Sequence, residues 1–118
     1  MVITDIFEHL DQKDRAYFRE TREKRVGAKL ETISADRETN VPAFRKTLGP
    51  IRTVLAAQPY LGGEMPAYAD YAVFGCFQWA RCISSFPLLL KDDPLWTWRD
   101  RLLSAFGEFA GKALGYPV

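Results

Sequence analysis

Apolar residues recur along this chain at intervals of three and four, and an alternating run of β-branched residues is nowhere to be found. Ile3, Ile6, Phe7 and Leu10 have helical spacing and predict a short opening segment. The stretch DQKDRAYFRETREKRVG predicts the first long helix. Asp11 suits its N-cap, Asp14 its positive N-terminal turn, Glu20 and Lys24 an i,i+4 pair, and Gly27 its stop. Val41, Phe44, Leu48, Ile51 and Leu55 fall on one stripe and predict a second long helix. Pro42 fits either a first turn capped near Asn40 or a kink in a longer helix. Pro50 lies inside the stripe and should bend the helix there, freeing the Lys46 carbonyl.

PYLGGEMP, Pro59 to Pro66, is rich in turn residues and breaks the pattern. From Tyr71 to Ile83 the chain is then apolar on nearly every helical face. A helix of that kind is expected to be surrounded by protein, so it is read as the central one. Gly75 would let a neighbouring backbone approach it closely. Asp92 or Asp93, followed by Pro94, marks a further helix start, with Leu95, Trp98, Leu102 and Phe106 as its apolar stripe. The Gly-rich tail GEFAGKALGYPV is expected to hold a last short helix and coil. The sum is an all-α helical bundle of about five helices around a buried one.

The buried helix poses a local problem. Its first N–H groups have no intrahelical acceptors, and water cannot reach them. Asp70 stands at the third helical position if Ala67 is the N-cap. From there its carboxylate can reach back to the Ala67 N–H, one half of a capping box, at the positive end of the helix dipole. Ala67 has no side-chain oxygen for the other half, which costs about 1 kcal/mol. Asp70 is therefore read as structural, with no second acid, histidine or metal partner near it in sequence.

Composition adds mostly exclusions. With 118 residues, 47% of them hydrophobic, the chain is long enough for one domain with a core. A net charge of +1 argues against a nucleic-acid or anionic-membrane partner. No apolar run reaches the roughly 18 residues of a membrane span, and no signal-peptide pattern opens the chain, so cytoplasm is the expected compartment. Cys76 and Cys82 lie about a turn and two-thirds apart on one helix, too far for a disulfide, and are expected as reduced core residues. His9 is the only histidine, so no metal site is expected, and no Ser/His/Asp set can be nominated. LGGEMP lacks the ending of a phosphate loop. Arg15, Arg19, Arg22, Lys24 and Arg25 are interleaved with Asp14, Glu20 and Glu23 and read as a solvated, salt-bridged face.

The run PYLGGE-x-P, then three residues, then Asp70 and an apolar helix resembles the C-terminal domain of cytosolic glutathione transferases. Leu61, Gly62, Gly63, Glu64, Pro66 and Asp70 match the family pattern. Ala67 departs from it, because the family carries Ser or Thr at that cap. DRAYFRETREKRVG and VPAFRKTLGPIRTVL resemble the family's first and second long helices, so the likeness extends over nearly the whole chain. YADYAVFGCFQWAR and the DDP-x-x-x-W helix look most similar to bacterial members of the β-etherase-like kind.

The resemblance implies a two-domain enzyme of detoxification type. In it a thioredoxin-like N-terminal domain binds glutathione, the cosubstrate, and stabilises its thiolate. This chain resembles only the second domain, spanning residues 1–118, and is expected to lack the first, to need no cofactor of its own and to be inactive alone. The intact protein would be a homodimer. The resemblance also implies that the first long helix borders a pocket for the hydrophobic, electrophilic second substrate and joins the dimer contacts. Tyr17 and Phe18 are the candidate pocket residues there, unless both pack on the second helix; Arg22 could reach an anionic ligand. Trp79 either closes the pocket floor or belongs to the core. No catalytic residue is nominated. The other reading is a stand-alone interaction module of the same fold without catalysis. In either case the apolar face that meets the first domain would be open, predicting self-association.

Overall fold

The computed structural model describes all 118 residues and contains seven helices and no strand. These are α1 (Ile3–His9), α2 (Gln12–Val26), α3 (Leu30–Ala35), α4 (Arg37–Thr47), α5 (Gly49–Ala57), α6 (Tyr68–Ile83) and α7 (Pro94–Glu108). The sole extended pairing is one bridge between Tyr60 and Gly63 in the turn before α6. The all-α expectation holds. The count rises from about five to seven because local chemistry punctuates the chain more often than the apolar stripe reveals.

The second long helix shows how. Pro50 does not bend one helix; it opens a new one. Leu48 is the C-cap of α4 and the N-cap of α5, and Pro50 sits in the first turn of α5. A missing N–H is harmless there, since that turn has no intrahelical acceptor for it. Pro42 lies inside α4, where it removes one helical donor. The first long helix follows its caps. Asp11 accepts from the Lys13 N–H, and Gly27 ends α2 in the left-handed region at φ 79°. The Glu20–Lys24 pair is not formed; Arg19 instead bridges Glu23 at 2.9 Å and Glu31 at 2.7 Å.

The core lies between α5, α6 and α7. Leu48, Phe74, Phe77, Leu89, Leu95, Trp98 and Leu102 form one buried cluster. Trp98 is fully buried, and Phe74 and Phe77 each meet it edge-on with centroids 6.4 Å away. That geometry sets the positive edge of one ring against the negative face of another. Polar ties hold the layers together. Asp93, the buried N-cap of α7, accepts from the Leu95 N–H and forms an ion pair with Arg52 of α5 at 2.6 Å. At the far end of α6, Ser84 donates to Asp5, which also pairs with Arg37.

The molecule is elongated, 45 × 30 × 23 Å, with a radius of gyration of 15.9 Å. A compact chain of this length would have about 13 Å. At the α1–α2 end neither helix has a buried residue.

Three expectations about the central elements are corrected. First, α6 is not enclosed on all sides. Asp70, Phe74, Phe77 and Ala80 are buried, but Trp79 is 50% exposed and Cys76 is exposed. Cys76 is therefore a surface thiol, and Cys82 is half-buried. An apolar sequence says that a face avoids water; it does not say that the same chain covers it. Second, no backbone approaches Gly75: a Cβ built there meets nothing within 4 Å. Third, the α7 stripe ends before Phe106. Ala105 takes ψ 156°, and Phe106, Gly107 and Glu108 have φ of 52°, 67° and 63°. Only glycine is at ease there. Phe106 turns out of the core, 79% exposed, with its ring 6.4 Å from Tyr71. The tail beyond it forms turns without a further helix. Gln78 and Arg81 of α6 hold it through the carbonyls of Ala110, Gly111 and Ala113.

No helix is long and apolar enough to cross a membrane.

Candidate functional site

The open face of α6 forms one wall of an apolar groove. Ala72, Cys76 and Trp79 stand one above another at i, i+4 and i+7, with Gly75 beside them. Phe44 and Leu48 from the α4 end form the opposite wall, and Leu88 closes one side. The groove has a volume of ≈ 730 Å³, inside the usual range for small-molecule sites. Of its 12 lining residues, 11 are hydrophobic and the other is Gly75, so no charged side chain faces it. The Cys76 thiol donates to the Ala72 carbonyl at 3.6 Å, and the Trp79 indole N–H is a second polar hydrogen on the wall.

Asp70 anchors the start of this helix with more than the expected bond. One carboxylate oxygen accepts from the Ala67 N–H at 2.9 Å and the Gly62 N–H at 2.9 Å. The other accepts from the Leu61 N–H at 2.7 Å and the Trp98 indole at 2.8 Å. Ala67 supplies no return bond from a side chain, so half of the capping box is present. Gly62 is needed for this arrangement: a Cβ there would lie 2.5 Å from the Ala67 Cβ. Asp70 is fully buried. Burial alone would push its carboxyl pKa up. The donors from Ala67, Trp98, Leu61 and Gly62 outweigh that and hold it below the usual carboxylate range. A carboxylate this saturated has no free lone pair for proton transfer and works as a structural anion.

The four candidate pocket residues do not converge. Trp79 lines the groove. Tyr17, Phe18 and Arg22 do not line it; all three lie on α2. Tyr17 is 71% exposed. Phe18 packs on Phe7 of α1, ring centroids 6.3 Å apart, rather than on the second long helix. The Arg22 guanidinium lies over the Phe18 ring at 4.9 Å. The neighbouring basic face is cross-linked: Arg19 donates to Glu31 and Glu23, and the bond from Arg19 lowers the Glu31 carboxyl to about 2.

Phe44, Leu48, Ala72, Gly75 and Cys76 line the groove without any sequence motif that marks them as a site. Their helical spacing was visible in sequence, but the same spacing describes a core face. No group of three or more His, Cys, Asp or Glu side chains is placed to hold a metal ion. The groove also does not fit glutathione, whose two carboxylates and ammonium would find no charged side chain on its walls.

A family model for the glutathione S-transferase C-terminal domain matches residues 1–86, from before α1 through the end of α6 and just beyond. The match covers well over half of the chain and includes the Asp70 anchor and both principal walls of the groove. The chain belongs to the glutathione S-transferase C-terminal domain family.

Proposed function

We propose that this chain is the helical half of a glutathione transferase and that its apolar groove receives the hydrophobic part of the electrophilic second substrate. The observation that carries this is the ≈ 730 Å³ groove whose walls bear no charged side chain. Transfer of an apolar molecule into such a site contributes about 25 cal/mol per Å² of apolar surface removed from water.

In this reading a thioredoxin-like partner domain holds glutathione and lowers the pKa of its thiol. The thiolate then attacks an electrophile held against the α6 face. Nothing lining the groove is suited to stabilise that thiolate, so the 118-residue chain alone gives no conjugation. The intact protein is a homodimer in this reading, with α2 and exposed Tyr17 contributing to the contacts. The likeness of YADYAVFGCFQWAR and the DDP-x-x-x-W helix to bacterial β-etherase-like members supports that subgroup in this reading.

The test is conjugation of glutathione to 1-chloro-2,4-dinitrobenzene, with glutathione binding followed in parallel by tryptophan fluorescence. The expected result is the buffer rate and no binding up to millimolar glutathione. A rate above buffer would move the chemistry into these helices and overturn the assignment.

A second reading, a docking module without catalysis, draws on the exposed aromatics Tyr68, Phe106 and Phe109. Those residues lie outside the groove walls, so an intact protein that conjugates no electrophile yet captures a partner through them would favour it.

A further inference from the structure

We infer that Gly75 sets the size limit of the groove and that the groove's ligand is an uncharged, planar aromatic molecule laid across Gly75 against Trp79. The inference rests on the groove being a small-molecule site, as proposed above.

Gly75 is in the interior of α6, where glycine costs about 1 kcal/mol relative to alanine. Two ordinary reasons for a helical glycine are absent. Its φ is not positive, so the backbone does not require it. Its missing Cβ would meet nothing within 4 Å, so packing inside the chain does not require it either. What the absent side chain leaves is open volume on the groove wall, one turn from Trp79. Positions that break a local rule without return to the fold are where function is expected.

Trp79 supplies the complementary half. It is 50% exposed, and its indole stands on the same wall one turn further along. An aromatic ligand over Gly75 can reach that ring in offset or edge-on contact. The neutrality of the ligand follows from the lining. No charged side chain faces the groove, the Cys76 hydrogen is already given to Ala72, and the Trp79 indole N–H is a neutral donor. A charged group buried there would lose its hydration without a partner.

The experiment uses the whole chain and two fluorescent probes of similar ring system: neutral N-phenyl-1-naphthylamine and anionic 8-anilinonaphthalene-1-sulfonate. The neutral probe should bind at least about tenfold more tightly than the anion. Gly75→Leu should weaken neutral-probe binding at least about tenfold with an unchanged helical circular dichroism spectrum. Gly75→Ala should leave most of the binding and raise thermal stability. Ala72→Leu, on the same wall, repeats the test should the leucine at 75 disturb folding.

No binding of the neutral probe to the wild-type chain overturns the small-molecule reading itself. Binding that Gly75→Leu and Ala72→Leu leave intact in folded protein overturns the role of Gly75 and keeps that reading. Equal affinity for the anion overturns the neutral ligand class. Probe binding that appears only on dilution to monomer, by light scattering, assigns the groove to a second copy of the chain and overturns the inference.

Discussion

The Trp98 indole donates to Asp70 across 2.8 Å, joining the middle of α7 to the first turn of α6. Both side chains are fully buried, so neither has water to fall back on. The bond converts a local helix cap into a tertiary link. It fixes where α6 starts, how the PYLGGEMP turn folds back on it, and where α7 crosses. Asp70→Ala would leave the indole and the N–H groups of Leu61, Gly62 and Ala67 without their acceptor. Each such group costs about 1–3 kcal/mol, so a loss of at least about 4 kcal/mol is expected. That is a large share of the roughly 5–15 kcal/mol that stabilises a small domain. Urea unfolding followed at 222 nm reads it directly, and an unchanged midpoint would refute the anchor. Trp98→Phe, which keeps three of the four donors, should cost less.

Acid should act through the same carboxylate. The folded-state pKa of Asp70 lies below its ordinary value, which is about 3.9 in an unfolded chain. At pH values between the two, the unfolded state binds more protons than the folded one. Stability therefore increases with pH through that window. The contribution is complete above about pH 5 and is lost as pH falls through the folded-state pKa. Urea midpoints measured from pH 6 down to pH 3 should fall, and the fall should be shallower in Asp70→Asn. Parallel slopes for the two proteins would assign acid lability to other carboxylates. Glu31, although lowered to about 2, is exposed beside Arg19, so salt should screen what it adds.

The Arg52–Asp93 pair carries a different expectation. Asp93 caps α7 and is buried, while Arg52 reaches it from α5 at 2.6 Å. Removing the cation leaves a buried carboxylate with the Leu95 N–H as its remaining donor. Arg52→Ala should therefore cost about 3 kcal/mol, whereas an exposed pair would cost less than about 1 kcal/mol. Arg52→Lys should recover only part, because a point charge cannot reproduce the donation from both Nε and Nη2. Equal stability of Arg52→Ala and wild type in urea would show that the pair contributes nothing net.

The helices were legible because their signals are local. Asp11 and Gly27 bound α2, Ala67 and Asp70 open α6, and Asp93 with Pro94 opens α7. The break at Leu48 was hidden because Val41 to Leu55 keep one apolar register across it. The departure of Phe106 was hidden for a similar reason: i+4 from Leu102 predicts a continuing stripe, and nothing local announces a left-handed turn at a phenylalanine. Asp70 was legible as a cap, but its bond to Trp98 spans 28 residues and has no sequence signature. The groove was the least legible. Ala72, Cys76 and Trp79 have the spacing of a buried face, and only the positions of α4 and Leu88 show that it opens onto a cavity. Tyr17 and Phe18 are adjacent on α2, and adjacent helical positions face apart, so one ring meets Phe7 and the other meets solvent.

The two thiols give a test of that openness independent of any fluorescent signal. Cys76 is exposed on the groove wall, and Cys82, six positions on, is half-buried. With iodoacetamide near pH 8, Cys76 should be alkylated roughly tenfold faster than Cys82, as judged by peptide mass spectrometry, because reaction needs an accessible thiolate. Saturating N-phenyl-1-naphthylamine should slow labelling of Cys76 and leave Cys82 unchanged, since the probe would sit between Cys76 and solvent. The reverse order of labelling would mean that the α6 face is covered in solution. In that case the cover must be found before the groove is assigned to any small molecule. Protection of both thiols together would point to a general tightening of the fold rather than to a ligand lying on this wall.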